Sequence, residues 1–297
     1  MACLLLATAC GRSECGDGAC QGQPGAAGED GETQPRDDDW RGGAWPRFQW
    51  VKVSGLDSPA GGGYDWERGY STSESCVDGN VKLLPLLKNT EESPLNNLSY
   101  SQLLDALELA NGKNSVGLVE NPGIRKLMTD LSVDSSSLSA LVSKRYGKAQ
   151  LVVEDAQHKE NLSPSCDVYA KSIELGAQLT YGIRIQLEDA KARDELVERF
   201  GTDDVFTLLE HDAAVEAALP DTTKIEVFVL QVGGWDFNLS QELPDNSRCS
   251  AVELKECAEL MRQFDMLADR FENSLGDVAI DDRGHWAQVR IHLAESP

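Results

Sequence analysis

Positive charge is scarce in this chain: 27 Lys and Arg stand against 50 Asp and Glu, a formal net charge of −23. Such a surface repels phosphate and gains nothing from counterion release, which argues against nucleic acid as a partner. It also repels anionic headgroups at long range. No stretch approaches the ~18 to 20 apolar residues of a spanning helix. There is no Cys-x-x-Cys, and His158, His211, His285 and His292 lie apart without ligand spacing, so no metal site is legible. A Gly-x-Ser-x-Gly elbow, His-Glu-x-x-His, a phosphate-binding loop and a dinucleotide fingerprint are all missing. The chain therefore shows no recognisable catalytic motif, and it is expected to be no enzyme and to use no cofactor. Asp203-Asp204 and Asp281-Asp282 read as solvated faces in so acidic a sequence.

What is present begins with eight cysteines. Leu4-Leu5-Leu6-Ala7-Thr8-Ala9-Cys10 reads as the end of an apolar segment, then small residues, then a cysteine. That order suits an export signal cut before a lipid-modified Cys10. The basic start of such a signal is missing and the apolar run is short, so the natural start is expected upstream of Met1. Lipid on Cys10 would attach the chain to a bacterial envelope, at the outer membrane or cell surface, without a protein span. Cys3 would leave with residues 1–10. Six cysteines remain, an even number suited to an oxidising compartment. Cys249 with Cys257 is a plausible local bridge, Cys15 with Cys20 could pair in a stalk, and Cys76 with Cys166 would be the long-range bridge.

Residues 11–44 are rich in Gly, Gln, Glu and Asp and are expected to form a flexible stalk. Residues 45–297 are expected to form a single α+β domain whose ending after Asp282 is short. Phe48, Trp50, Val51 and Val53 mark a first strand, and Gly61-Gly62-Gly63-Tyr64-Asp65 a turn. Residues 99–110 read as a helix with Leu103, Leu104, Leu107 and Ala110 on one face, and Ser136–Tyr146 as a second short helix. Ala149–Glu154 reads as a strand. Cys166–Ile173, a break at Gly176-Ala177, and Gln178–Leu187 follow, the last with Leu179, Tyr181, Ile183, Ile185 and Leu187 at a two-residue period. Residues 188–200 and 203–218 read as acidic helices. Lys224–Val232 reads as a strand ended by Gly233-Gly234. Ser250–Ser274 reads as a long helix with Ser250 as its cap and Met266 on its apolar face. Trp286–Leu293 reads as a final strand.

Three pieces together resemble bacterial members of the membrane-attack-complex/perforin superfamily. The first is Gly63-Tyr64-Asp65 followed by Cys76-Val77-Asp78-Gly79. The second runs from Ser165 to Ala177: Tyr169 falls on the last aromatic of the family signature, and six residues on come Gly176 and Ala177, where the family shows two glycines. The third is the strand Ile225–Gly234, followed by Cys249, Cys257 and a long helix. The resemblance implies a bent antiparallel sheet flanked by two helical clusters, about residues 99–146 and 188–222, that reopen as membrane hairpins. It implies a hinge at Gly176, with Gly233 and Gly234 ending a neighbouring strand. It further implies membrane lipid and further copies of the chain as partners, and no catalysis.

The acidic positions Glu188, Asp189, Asp194, Glu195, Glu198, Asp203, Asp204, Glu210, Asp212 and Glu216 leave no clean apolar face at period two. A non-lytic binding lipoprotein therefore stays open. So does an extracellular carbohydrate-acting enzyme using Trp45, Trp50, Trp66 or Trp235 as stacking faces.

Overall fold

The computed structural model describes residues 49–53, 60–65, 70–106, 122–159, 166–234, 237–242, 249–276, 278–280 and 285–295. Cys10, Cys15, Cys20 and the 11–44 stalk lie outside these residues.

Three long strands dominate: β4 (Val77–Asn96), β5 (Ser137–His158) and β6 (Val168–Gln186). Shorter ones are β1 (Gln49–Val53), β2 (Gly62–Asp65), β3 (Tyr70–Ser75), β7 (Lys224–Val232) and β8 (Ala287–Glu295). β4 pairs antiparallel with β5, and β5 with β6, from Ser137↔Gln186 to Val152↔Ser172. The other flank of β6 is shared: β7 takes Gln178–Gln186 and β8 takes Val168–Gly176, both antiparallel. β1 lies parallel to β7, and β2 touches β6 through Gly63↔Tyr169.

Two helical segments interrupt this order. Residues 97–136 join β4 to β5 and carry α1 (Tyr100–Ala106) and α2 (Pro122–Leu131). Residues 187–223 join β6 to β7 and carry α3 (Ala190–Phe200), α4 (Val205–Glu210) and α5 (Asp212–Glu216). Local chemistry sets the ends of these helices. Asp189 caps α3 by accepting from the Ala192 N–H at 2.8 Å, and Gly201 closes it at φ 67°. Asp204 caps α4 through the Phe206 N–H at 3.0 Å. A short α6 (Leu239–Glu242) and the 23-residue α7 (Leu254–Gly276) follow.

The sheet is covered on both faces. On one, Leu138, Ala140, Ile183, Ile185, Val227 and Val229 pack with α3–α5 and with Leu260, Phe264, Leu267 and Phe271 of α7. On the other, Leu141, Phe228, Leu230 and Val232 pack with Leu103 of α1 and Leu127, Met128 and Leu131 of α2. The α+β architecture expected above, an antiparallel sheet with a helical cluster on each face, is therefore present.

Cys76 and Cys166 are bridged, with Cα atoms 5.2 Å apart, tying the start of β4 to the start of β6 inside a small cluster with Val77, Val153 and Tyr169. Closing a loop over 90 residues restricts the unfolded chain by about 4.6 kcal/mol in the chain-entropy account. Cys249 and Cys257 are bridged at the head of α7, Cα atoms 4.5 Å apart.

Several sequence expectations are corrected. Ser136–Tyr146 is not a helix but the first half of β5. Leu138, Leu141 and Val142 have helical spacing because both faces of this strand are packed, which erases the two-residue alternation. The first helical cluster therefore ends at Leu131. Gly176-Ala177 is not a break, since β6 runs through it. Gly62–Asp65 is a strand and not a turn. The long helix begins at Leu254, not Ser250, and its first N–H meets the Glu216 carboxylate of α5 at 3.3 Å. Met266 is 58% exposed and lies off the apolar face of α7.

Candidate functional site

Irregularities in three strand pairings fall at one level of the sheet. Register shifts separate Pro85 from Asn89 in the β4–β5 pairing, Gly147 from Ala149 in β5–β6, and Glu174 from Leu175 in β6–β8. A bulge bends its strand and raises the local twist. Aligned across neighbouring strands, these bulges make a crease. At the same level β6 changes partner: β7 ends at Val232↔Gln178 and β8 begins at Ala287↔Gly176.

Glycines and alanines from neighbouring strands meet on the crease. Gly147 faces Gly176, Ala177 faces Tyr146, and Ala287 faces Gly176 from the other side. A Cβ on Gly176 would overlap the Tyr146 carbonyl oxygen and come 3.2 Å from the Gly147 Cα. Gly233 leaves β7 at φ 72°, and a Cβ there would come 2.7 Å from the Gly176 carbonyl oxygen. Gly234 follows at φ 66° against the Phe271 ring. Buried Gln231 holds this turn by donating from Nε2 to the carbonyls of Gly233 (3.0 Å) and Gly234 (2.8 Å). Tyr169, the aromatic of the signature, lies away from the crease at the Gly63 pairing, 5% exposed.

Ionic side chains line the crease on the α1–α2 face. Glu91 of β4 joins Arg145 of β5 at 3.2 Å and Arg290 of β8 at 3.1 Å, and Arg290 reaches Glu174 of β6 at 3.5 Å. Four strands are thus laced by two acids and two bases. Glu174 is 4% exposed. Burial pushes its carboxyl above the usual range, opposed by the Arg290 and Arg145 guanidiniums. A raised carboxyl pKa contributes most to stability below the unfolded-state value near pH 4 and progressively less as pH rises through the folded-state value. Glu174→Gln mimics the protonated form. Its urea midpoint relative to the parent chain is expected to move in the variant's favour between about pH 4 and pH 7. A difference that stays constant, or moves the other way, contradicts the assignment.

On the opposite face α7 lies across β5 and β6. Lys144 Nζ meets Asp265 at 2.9 Å and Glu92 at 3.4 Å, and Tyr181 Oη donates to Asp265 at 2.6 Å. Burial pushes the Asp265 carboxyl up, but hydrogen bonds from Tyr181 and Lys144 hold it below its ordinary value. Tyr146 Oη donates to the Ala268 carbonyl at 3.0 Å, and its ring meets Phe271 edge-on at 5.5 Å.

Strand pairing therefore brings together Gly176, Ala177 and Gly233, with Gly234 one residue on and Gly147 and Ala287 added. Gly147 carries no motif, and only the β5–β6 register reveals its place. The lacing by Glu91, Arg145, Glu174 and Arg290 also lacks a signal, because its members lie up to 199 residues apart. Among the described residues no group of His, Cys, Asp and Glu is placed to hold a metal ion, and no helix is long and apolar enough to cross a membrane. Trp45, Trp66 and Trp235 lie outside the described residues, as does the Trp50 side chain.

No family model matches the chain, and no curated protein does. Solved structures similar to it include a putative cell invasion protein with a MAC/Perforin domain from Bacteroides thetaiotaomicron: 10% identity over 78% of this chain and 54% of that one, TM-score 0.36. A non-hemolytic pneumolysin from Streptococcus pneumoniae matches at 11% identity over 71% of this chain and 41% of that one, TM-score 0.31. A structure described as a trapped toxin matches at 11% identity over 72% and 40%, TM-score 0.31. The chain spans about half or less of the length of these structures.

Proposed function

We propose that this chain is a perforin-like assembly module, anchored to a bacterial envelope by lipid on Cys10, whose two helical segments reopen as hairpins about the glycine crease in a homo-oligomer. One observation carries the reading: each helical segment joins two antiparallel neighbouring strands, one segment packs on each face, and the strands crease where glycines and alanines meet. Extending β4 and β5 through residues 97–136, or β6 and β7 through 187–223, lengthens an existing ribbon and needs no new topology. Each segment exceeds the roughly twenty residues that two membrane strands require. The net charge of −23 gives the anchor a purpose, because an untethered chain would be repelled by anionic lipid.

The test is dye release from vesicles by the full, lipidated chain, with electron microscopy of the bound protein. Release together with ring or arc assemblies is expected. Neither release nor assemblies would overturn the proposal in favour of a non-lytic surface module. That second reading is favoured by one observation, the acids from Glu188 to Glu216, which leave no clean apolar face at the two-residue period of a membrane strand.

A further inference from the structure

The β5 bulge has a single unpaired residue, Lys148, between the Gly147↔Gly176 and Ala149↔Leu175 pairs. Its ammonium donates to the carbonyl oxygens of Leu275 at 3.2 Å and Gly276 at 3.0 Å, the last two residues of α7. The same ammonium lies 5.6 Å from the ring centre of buried Trp286, the residue before β8. The last carbonyls of a helix lack partners within the helix and carry its negative dipole end, so a cation there is favourable. The residue extruded by the crease is thus the cap of the long helix.

At its other end α7 meets the second helical segment. The Leu254 N–H, first in the helix, donates to the Glu216 carboxylate of α5. Leu208, Leu209 and Val215 of that segment share the core with Leu254, Leu260 and Phe264 of α7. A continuous chain of contacts therefore runs from the bulge through Lys148 and α7 to α4 and α5.

We propose that Lys148 is a positioning residue that couples the shape of the sheet to the second helical segment. While the bulge is formed, Lys148 caps α7, and α7 holds α4 and α5 on the sheet. A β5 strand that pairs through without the bulge, keeping Ala149 and Leu151 in the core, turns the Lys148 side chain away from α7, uncaps its last turn and loosens its grip on α4 and α5. The device matters to function only on the reading proposed above, yet it is a property of the chain in solution. It is therefore measured without a membrane, and a failed vesicle experiment would leave its test intact.

The experiment is amide hydrogen exchange of the full chain carrying Lys148→Met, which keeps the apolar stem and removes the charge, with Lys148→Arg as the conservative partner. Lys148→Met is expected to speed exchange roughly fivefold, both in the last turn of α7 and in residues 205–216, with β4–β6 unchanged. Lys148→Arg is expected to restore most of the protection. Faster exchange confined to the last turn of α7 would make Lys148 a local cap and overturn the coupling. Unchanged exchange throughout would overturn the cap as well.

Discussion

Replacing Gly176 with alanine is expected to destabilise the domain by about 3 kcal/mol or more, the upper range for forcing one extra carbon into a packed interior. The obstacle is backbone. The added Cβ would overlap the Tyr146 carbonyl oxygen and lie 3.0 Å from its carbon and 3.2 Å from the Gly147 Cα, and none of these can rotate aside. The strand pairing Tyr146↔Ala177 and Gly147↔Gly176 would have to spread, which disturbs the β5–β6 ladder at its middle. Gly201 supplies the internal comparison. Gly201, unlike Gly176, sits at positive φ (67°), but a Cβ there meets nothing within 4 Å, so Gly201→Ala should cost only the left-handed backbone term of about 1 kcal/mol. Urea unfolding of the two variants measures both. A Gly176→Ala variant within about half a kcal/mol of the parent chain would show that β5 and β6 do not approach this closely.

Much of this fold is legible from residue spacing. The two-residue period from Leu179 to Leu187 marks the upper half of β6, which offers an apolar row to one face, and the nearly unbroken β-branched and aromatic run Ile225–Val232 marks β7, which is packed on both. The acid caps Asp189 and Asp204 mark where α3 and α4 begin. Legibility fails where two-sided packing scatters apolar residues among polar ones, or where packing is absent. The first half of β5 is covered on both faces, so its apolar residues occupy both parities and imitate a helix. β4 fails for the opposite reason. Among the described residues it pairs only with β5, it carries Pro85 and Pro94, and it leaves Val81 and Leu84 exposed at 51% and 40%. An edge strand tolerates proline and needs no apolar row, so nothing in its composition announces a strand.

The crease is half legible. Gly176, Ala177 and Gly233 stand out through the resemblance, but Gly147, Lys148 and the Glu91–Arg145–Glu174–Arg290 lacing follow from register, which pairs residues far apart in sequence. The long helix is visible as a helix, yet its role as a splint depends on Asp265 meeting Lys144 and Tyr181, more than eighty residues away.

A large change in secondary structure is expected when the chain meets a membrane. In solution α1–α2 and α3–α5 are held by apolar burial: Leu103, Leu127, Met128 and Leu131 on one face, Leu196, Val205, Leu208, Leu209 and Val215 on the other. Each such side chain contributes roughly 1.5–3 kcal/mol by leaving water. Neither segment can leave the sheet unless a lipid phase or a neighbouring chain takes over that burial. The acids of the second segment set a further condition. A charged side chain facing lipid at mid-depth costs roughly 2–4 kcal/mol for the bases and less for the acids, so these carboxylates must face a water-filled lumen or remain outside the bilayer. Helix should therefore be lost from α1–α5 only on vesicles, with strand gained in its place, while α7, splinted to β5 and β6, keeps its own.

Amide hydrogen exchange on the vesicle-bound, lipidated chain tests this most directly. Residues 122–131 and 190–216 should lose their solution pattern of protection, residues 139–152 and 172–186 should keep theirs, and the infrared amide band should move from helix toward strand. Bound chain that releases dye while those helices stay as protected as in solution would show that the segments do not reopen.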